Sequence, residues 1–391
     1  MAAKILGLLL RHRVEPAFAG RAATLELMDH ARRQQDLRSM LRRHRLDGLL
    51  ITHLPNIRYL SGFTGSSAVL VITESKSVFF TDGRYSAQAQ AEVQGAKLVI
   101  SRKAPILTAA DWPAKNRSRL GKSRIKIGIE GDHLSVAART RLLKTLSSKF
   151  LLREAQPVIE RARMIKDAEE IELIRRAVRL AASLFDRILE SIRPGARETE
   201  VAAELEYAAR KAGAEEMSFP TIIASGERSS LPHGRASQAV IPPQAFVVCD
   251  FGVILAGYCS DTTRTVYVGK PTAEARKFYQ AARNAQQAAI EAVRPGVSAG
   301  EVDQAARKLL RREGLSKYFA HSTGHGVGLE IHEAPRLAAG QGEILRPGMV
   351  ITIEPGIYIP GKWGVRIEDM VVVTERGCEV LTAPSKELIA V

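Results

Sequence analysis

The chain has 391 residues, 45% of them hydrophobic and 25% charged, and a formal net charge of +15. That balance is ordinary for a globular protein and excludes a disordered polymer, and with no apolar run approaching about 18 residues no membrane span is expected. Three cysteines, an odd number, do not make a disulfide framework, so the chain is expected in the cytoplasm.

Residues 1–27 hold one short apolar stretch, Ile5 to Leu10, too brief for a signal peptide, and are expected to form a poorly ordered extension. An amphipathic helix is predicted over Leu27–Arg45, then strands at Gly48–Thr52, Ala68–Thr73, Ser77–Thr81 and Ile125–Glu130, and a helix at Leu134–Ser147. This alternation predicts an α/β domain with a mixed sheet over residues 28–156. The length calls for a second domain, residues 157–391, with a boundary near Gln156–Met164. Its helices are predicted at Ala168–Ile192, stopped by Pro194-Gly195, and at Thr199–Ala212, Ala273–Val293 and Ala299–Glu313, covering the outer face of a second sheet. The fold class is therefore α+β. No internal repeat is visible.

Charge is unevenly placed. Residues 1–150 carry 26 Lys/Arg against 11 Asp/Glu, which accounts for the whole excess of +15. The densest run is Arg102, Lys103, Lys115, Arg117, Arg119, Lys122, Arg124 and Lys126. Aromatic residues are scarce there and no nucleic-acid motif appears, so a nucleic-acid partner is not expected. The run reads as solvated basic faces, as a means of steering acidic peptides, or as part of a subunit interface.

Five C-terminal stretches carry the chemistry: VVCDFG with Asp250, YCSDTTRT with Asp261, STGHGVGLEIHE with His325, ITIEPG with Glu354 and GVRIED with Glu368. Four carboxylates and an imidazole suit two divalent ions, because anionic oxygens offset both charges. A hairpin turning between Leu255 and Ala256 sets Asp250 directly opposite Asp261, with Cβ atoms about 4.5–5.5 Å apart. A second hairpin centred on Gly361 sets Glu354 opposite Glu368. A single strand Asp usually faces solvent, but Asp250 follows an apolar run where an unpaired carboxylate is costly to bury, and a bound cation removes that cost. Cys259 shares a face with Asp261, yet the oxygen-rich set is complete without it.

Of nine histidines, those after residue 160 are His233, His321, His325 and His332 only. Singly, His332 reads as a surface residue and His233 as a turn residue after Pro232. Their concentration around the acidic stretches favours one shared site.

These motifs resemble the creatinase/aminopeptidase P metallopeptidases, and within them the Xaa-Pro aminopeptidases and Xaa-Pro dipeptidases. The resemblance is strongest from Leu231 onward; Asn56–Phe63 and Thr81–Tyr85 match the family's N-terminal part. It implies a pita-bread catalytic domain preceded by an α/β creatinase-like domain. It further implies that Asp250 chelates one ion, Asp261 and Glu368 bridge both, and His325 and Glu354 complete the other shell. A hydroxide bridging the ions would attack the scissile carbonyl while Glu354 shuttles the proton. His233 and His332 would contact substrate and the developing oxyanion, His321 would shape a proline pocket, and Arg366 would bind substrate and orient the acidic ligands. The ions are expected to be Mn²⁺, with Co²⁺, Zn²⁺ or Fe²⁺ as alternatives. Peptides with proline second are the expected substrates, and a homodimer or higher homo-oligomer the expected assembly. The expected activity is that of an Xaa-Pro aminopeptidase. An Xaa-Pro dipeptidase shares every one of these residues and stands as the alternative; a silent creatinase-fold binding protein is the third possibility.

Overall fold

A computed structural model describes residues 28–115, 124–146 and 148–391. The expected extension 1–27 and the basic residues Arg117, Arg119 and Lys122 lie outside the described residues.

The N-terminal part is a six-stranded mixed sheet built from β1 (Gly48–Ile51), β2 (Ala68–Thr73), β3 (Ser77–Asp82), β4 (Lys97–Ser101), β5 (Ile125–Ile129) and β6 (Phe150–Glu154). The order is β4-β3-β2-β1-β5-β6, antiparallel across β1-β2-β3 and parallel towards both edges. Helices α1 (His30–Arg43) and α2 (Leu54–Ser61) pack Leu37, Leu41, Ile57 and Leu60 on one face. Helix α3 (Ser86–Glu92) joins them there through Ala89, while α4 (Pro105–Lys115) and α5 (Val136–Thr145) fill the opposite face with Ala109, Ala110 and Leu142.

The chain then passes through α6 (Val158–Arg163) into α7 (Ala168–Leu189), α8 (Glu198–Lys211), α9 (Ala273–Ala292) and α10 (Ala299–Arg312). Asp167 caps α7 in a capping box with Glu170, and Ser298 does the same for α10 with Glu301. Helix α7 ends at Leu189, three residues earlier than the Pro194-Gly195 stop suggests. The strands of this part are β7 (Glu216–Met217), β8 (Ile222–Ser225), β9 (Ala245–Phe251), β10 (Val253–Leu255), β11 (Tyr258–Cys259), β12 (Thr262–Val268), β13 (Gly324–Gly326), β14 (Glu333–Leu337), β15 (Val350–Ile353), β16 (Gly356–Ile359), β17 (Trp363–Arg366), β18 (Asp369–Val373) and β19 (Cys378–Val380). Sheet β12-β9-β8 buries its apolar side against α7 and α8. Sheet β14-β13-β15-β18-β19 and the pair β16-β17 bury theirs against α9 and α10. On the side away from α9 and α10, β15 and β18 pack Val350, Met370 and Val372 against Leu173, Ile174 and Val178 of α7. Among the described residues, no helix is long and apolar enough to cross a membrane.

The first hairpin corrects the expected register. Its turn is centred between Ala256 and Gly257, so Asp250 pairs with Thr263 and not with Asp261. Both turn residues take positive φ, 50° and 83°, the signature of a two-residue turn whose twist matches the strands. Because the partner moves by two residues, Asp261 stays on the face of Asp250, diagonally displaced. Gly257 also lies where a Cβ would sit 2.1 Å from the guanidinium carbon of Arg58. Gly257→Ala is expected to destabilise by about 1–2 kcal/mol, read as a lower urea midpoint at unchanged slope.

The second hairpin keeps the expected register throughout. Every opposed pair from Val350 and Val372 to Ile359 and Trp363 is centred on Gly361.

Candidate metal centre

Five side chains converge between the two inner sheet faces. Asp250 lies near the end of β9, Asp261 just before β12, Glu368 just before β18, Glu354 just after β15, and His325 in the middle of β13. His325 Nε2 lies 3.5 Å from Asp261 Oδ2 and 3.6 Å from Glu354 Oε1. Ligand atoms of Asp261, His325 and Glu368 fall within 4.8 Å of one another. His325 Nδ1 donates to the Gly326 carbonyl at 3.0 Å, which leaves the Nε2 lone pair facing the carboxylates. Burial, then the nearby His332, hold the His325 imidazole down at about 4, so it is neutral at physiological pH.

The carboxylates are crowded. Burial pushes Glu354 up to about 8, with Asp250 adding to the rise and Arg366 opposing it. Burial, then neighbouring carboxylates, likewise push Asp261 and Glu368 well above the usual range. Three buried oxygens here, Asp250 Oδ1, Asp261 Oδ1 and Glu368 Oε1, have no hydrogen-bond partner. One orphaned oxygen on each of three clustered carboxylates is costly in a protein interior and is what cation ligation would satisfy. The donor set therefore fits divalent metal.

A shell of polar groups aims these ligands. Arg366 donates through Nη2 to Asp250, through Nη1 to Tyr358 Oη at 2.6 Å and the Pro232 carbonyl at 3.0 Å, and through Nε to Thr263 Oγ1 at 3.1 Å. Thr263 Oγ1 donates to Glu368 Oε2 at 2.7 Å. Tyr358 Oη lies 2.9 Å from His321 Nε2, and His321 Nδ1 donates to Ser322 O at 2.8 Å. Burial, then the nearby Arg366 guanidinium, lower His321 to about 4, against the opposing pull of the hydrogen bond to Ser322 O.

One cavity of about 670 Å³ joins these groups. His233, His321, His325 and His332 all line it, together with the acidic cluster and Arg366. His332 stacks edge-on against His325, ring centroids 4.4 Å apart. Phe219, Pro220, Ile222, Pro232 and Ile331 supply an apolar wall. Arg235 and Arg336 also line the cavity, and neither was singled out in the sequence. Nor were Asp303 and Arg307 of α10: Asp303 accepts from Thr323 Oγ1 at 2.8 Å, and Arg307 donates to the His321 carbonyl at 2.6 Å. Their i,i+4 spacing looks like an ordinary surface pair. Cys249 and Cys259 are buried free thiols, raised by burial and inert.

Residues 172–375 match the model of Metallopeptidase family M24, and residues 33–165 match the Creatinase/Prolidase N-terminal domain. An Xaa-Pro dipeptidase from Bacillus anthracis is 40% identical, covers 92% of this chain and 100% of its own, and superposes with a TM-score of 0.87. A prolidase from Pyrococcus horikoshii is 36% identical over 92% of this chain and all of its own, with a TM-score of 0.85. An X-Pro aminopeptidase from Thermotoga maritima is 34% identical over 92% and 99% of the two chains, with a TM-score of 0.83. The chain belongs to metallopeptidase family M24, with a creatinase-type N-terminal domain ahead of a pita-bread catalytic domain.

Proposed function

We propose that the protein hydrolyses the bond between an N-terminal residue and a following proline, acting as an Xaa-Pro dipeptidase. The observation that carries this reading is the set of three orphaned carboxylate oxygens in a cavity ringed by four histidines. Asp250, Asp261, His325, Glu354 and Glu368 would hold two divalent ions, and an oxygen-rich set of this kind favours Mn²⁺. Such a pair, when bound, acidifies water and polarises the scissile carbonyl.

The rest falls to the chain itself. Glu354 takes the proton of the attacking water and delivers it to the proline nitrogen, which must gain a proton to leave as an amine when the C–N bond breaks. His233 and His332 donate to the oxygen that gains charge as the carbonyl becomes tetrahedral. Arg366 fixes Asp250 and, through Tyr358, the His321 ring. The apolar wall receives the pyrrolidine ring. Residues 28–156 and 157–391 are taken as the two domains of this enzyme.

Charge in the cavity bears on substrate length. A dipeptide carries its carboxylate next to the proline, inside the cavity, and that carboxylate calls for a cation. Arg336 and Arg235 line the wall. The names of the Bacillus anthracis and Pyrococcus horikoshii relatives favour the same reading, which displaces the aminopeptidase expectation. The Thermotoga maritima neighbour keeps the aminopeptidase as the second reading.

Turnover of Ala-Pro and Ala-Pro-Ala by manganese-loaded protein separates the two. Cleavage of the dipeptide alone is expected; cleavage of the tripeptide moves the assignment to an aminopeptidase, and failure on both overturns it. Arg336→Met is expected to lower kcat/KM on Ala-Pro by about 10–100-fold, the worth of a lost charge-assisted hydrogen bond, mostly through KM.

A further inference from the structure

His332 carries an assigned role without a visible support. Among the described residues no hydrogen bond reaches its ring, so its direction is set by the loop 327–332 and the edge contact with His325. That loop is held from below by its neighbour Glu333. The Glu333 carboxylate accepts from the Glu330 backbone N–H at 3.2 Å, from Arg163 Nη2 at 2.5 Å and from Lys166 Nζ at 2.9 Å. It also rests on Gly328, where a Cβ would lie 2.6 Å from both carboxylate oxygens. A side chain at 328 would thus press on the carboxylate that the two cations hold.

Both cations are buried: the side chains of Arg163 and Lys166 are 3% and 1% exposed, and that of Glu333 is 7% exposed. Arg163 also donates to Glu330 Oε2 at 2.8 Å and, through Nη1, to Asn56 Oδ1 at 2.7 Å. Asn56 lies on α2 of the N-terminal domain and donates in turn to Glu130 and Glu160. A continuous chain of charge-assisted bonds therefore runs from the N-terminal sheet to the residue beside His332. Buried ion pairs are poor sources of net stability, since apolar replacements are often as stable. What the planar, forked guanidinium supplies is direction, holding several partners at fixed angles.

We propose that Arg163 and Lys166 are positioning residues: by clamping Glu333 they hold the loop in the form that presents His332 to substrate, and through Asn56 they make the N-terminal domain part of that support. The inference rests on the role given to His332 above.

The test compares Arg163→Met, Arg163→Lys and Asn56→Ala, each alone and combined with His332→Ala, in the full-length manganese-loaded protein. For Arg163→Met a fall in kcat on Ala-Pro of about a hundredfold is expected, the usual penalty for a small misplacement of a catalytic group, with KM and bound metal unchanged. Arg163→Lys keeps the charge and loses the fork, so it should recover part of the loss. In the His332→Ala background, Arg163→Met should have no further effect. Independently of turnover, ¹⁵N-histidine spectra of the metal-free protein should show the His332 ring resonances displaced in Arg163→Lys and Asn56→Ala. Should Arg163→Met fail to fold in a circular-dichroism melt, the milder two variants decide alone. Equal penalties with and without His332, or unmoved ring resonances, overturn the proposal. If even the native protein cleaves no Xaa-Pro peptide, the functional assignment falls while the spectra still judge the clamp.

Discussion

Glu354→Gln is expected to lower kcat on Ala-Pro by about 10³-fold, within the range that a positioned acid/base contributes. The Glu354 backbone N–H is fixed to the Thr323 carbonyl at 2.8 Å, and its carboxylate faces His325. Glutamine preserves volume and one acceptor oxygen but cannot carry a proton from water to the leaving nitrogen. Metal content measured beside turnover separates lost ligation from lost proton transfer. A variant that binds two ions and keeps near-native kcat would falsify the acid/base role. A variant that loses metal but regains full kcat at high manganese would do the same.

The second large effect concerns stability. Without a cation, Glu354 sits near 8, and Asp261 and Glu368 are raised as well. A raised carboxylate holds its proton in the folded state over a range where the unfolded chain, near about 4, has released it. Between about pH 4 and 8 the metal-free folded state thus binds more protons than the unfolded one, and its stability falls as pH rises. Ligation ionises the same groups and removes that slope. Urea midpoints of stripped and manganese-loaded protein should therefore diverge from pH 5 to pH 8. At a thousandfold excess over Kd each ion adds about 4 kcal/mol. Parallel curves, or a stripped protein that gains stability on alkalisation, would show that the carboxylates do not share a buried cluster.

Much of the site could be read from local pattern because the ligands sit beside turns. The Pro360-Gly361-Lys362-Trp363-Gly364 segment announces its own centre, and Glu354 and Glu368 follow from it. The first hairpin came out one residue off centre because Ala256, an unfavourable residue for positive φ, occupies the turn. The edge strands β4 and β6 read Lys-Leu-Val-Ile-Ser and Phe-Leu-Leu-Arg-Glu, with their apolar residues consecutive, so no alternation of apolar and polar residues marks them. Helix α2 is eight residues long and opens on a proline, too short for a periodic signal. The contacts that aim the ligands were illegible for another reason. Arg163 and Glu333 are separated by 170 residues, and no spacing rule joins them.

The ladder centred on Gly361 crosses from one sheet to another at the level of Glu354 and Glu368. Its two hydrogen-bonded stretches, Val350–Ile353 with Asp369–Val372 and Gly356–Ile359 with Trp363–Arg366, flank the glutamates on both sides. Insertions at the tip, residues 360–362, should leave the acidic pair untouched, since the inner ladder absorbs the change before it reaches them. A single deletion at Pro355 or Ile367 would instead slip one strand against the other and turn one carboxylate away. Natural length variation in this enzyme should therefore gather at the far end of the hairpin and spare its waist.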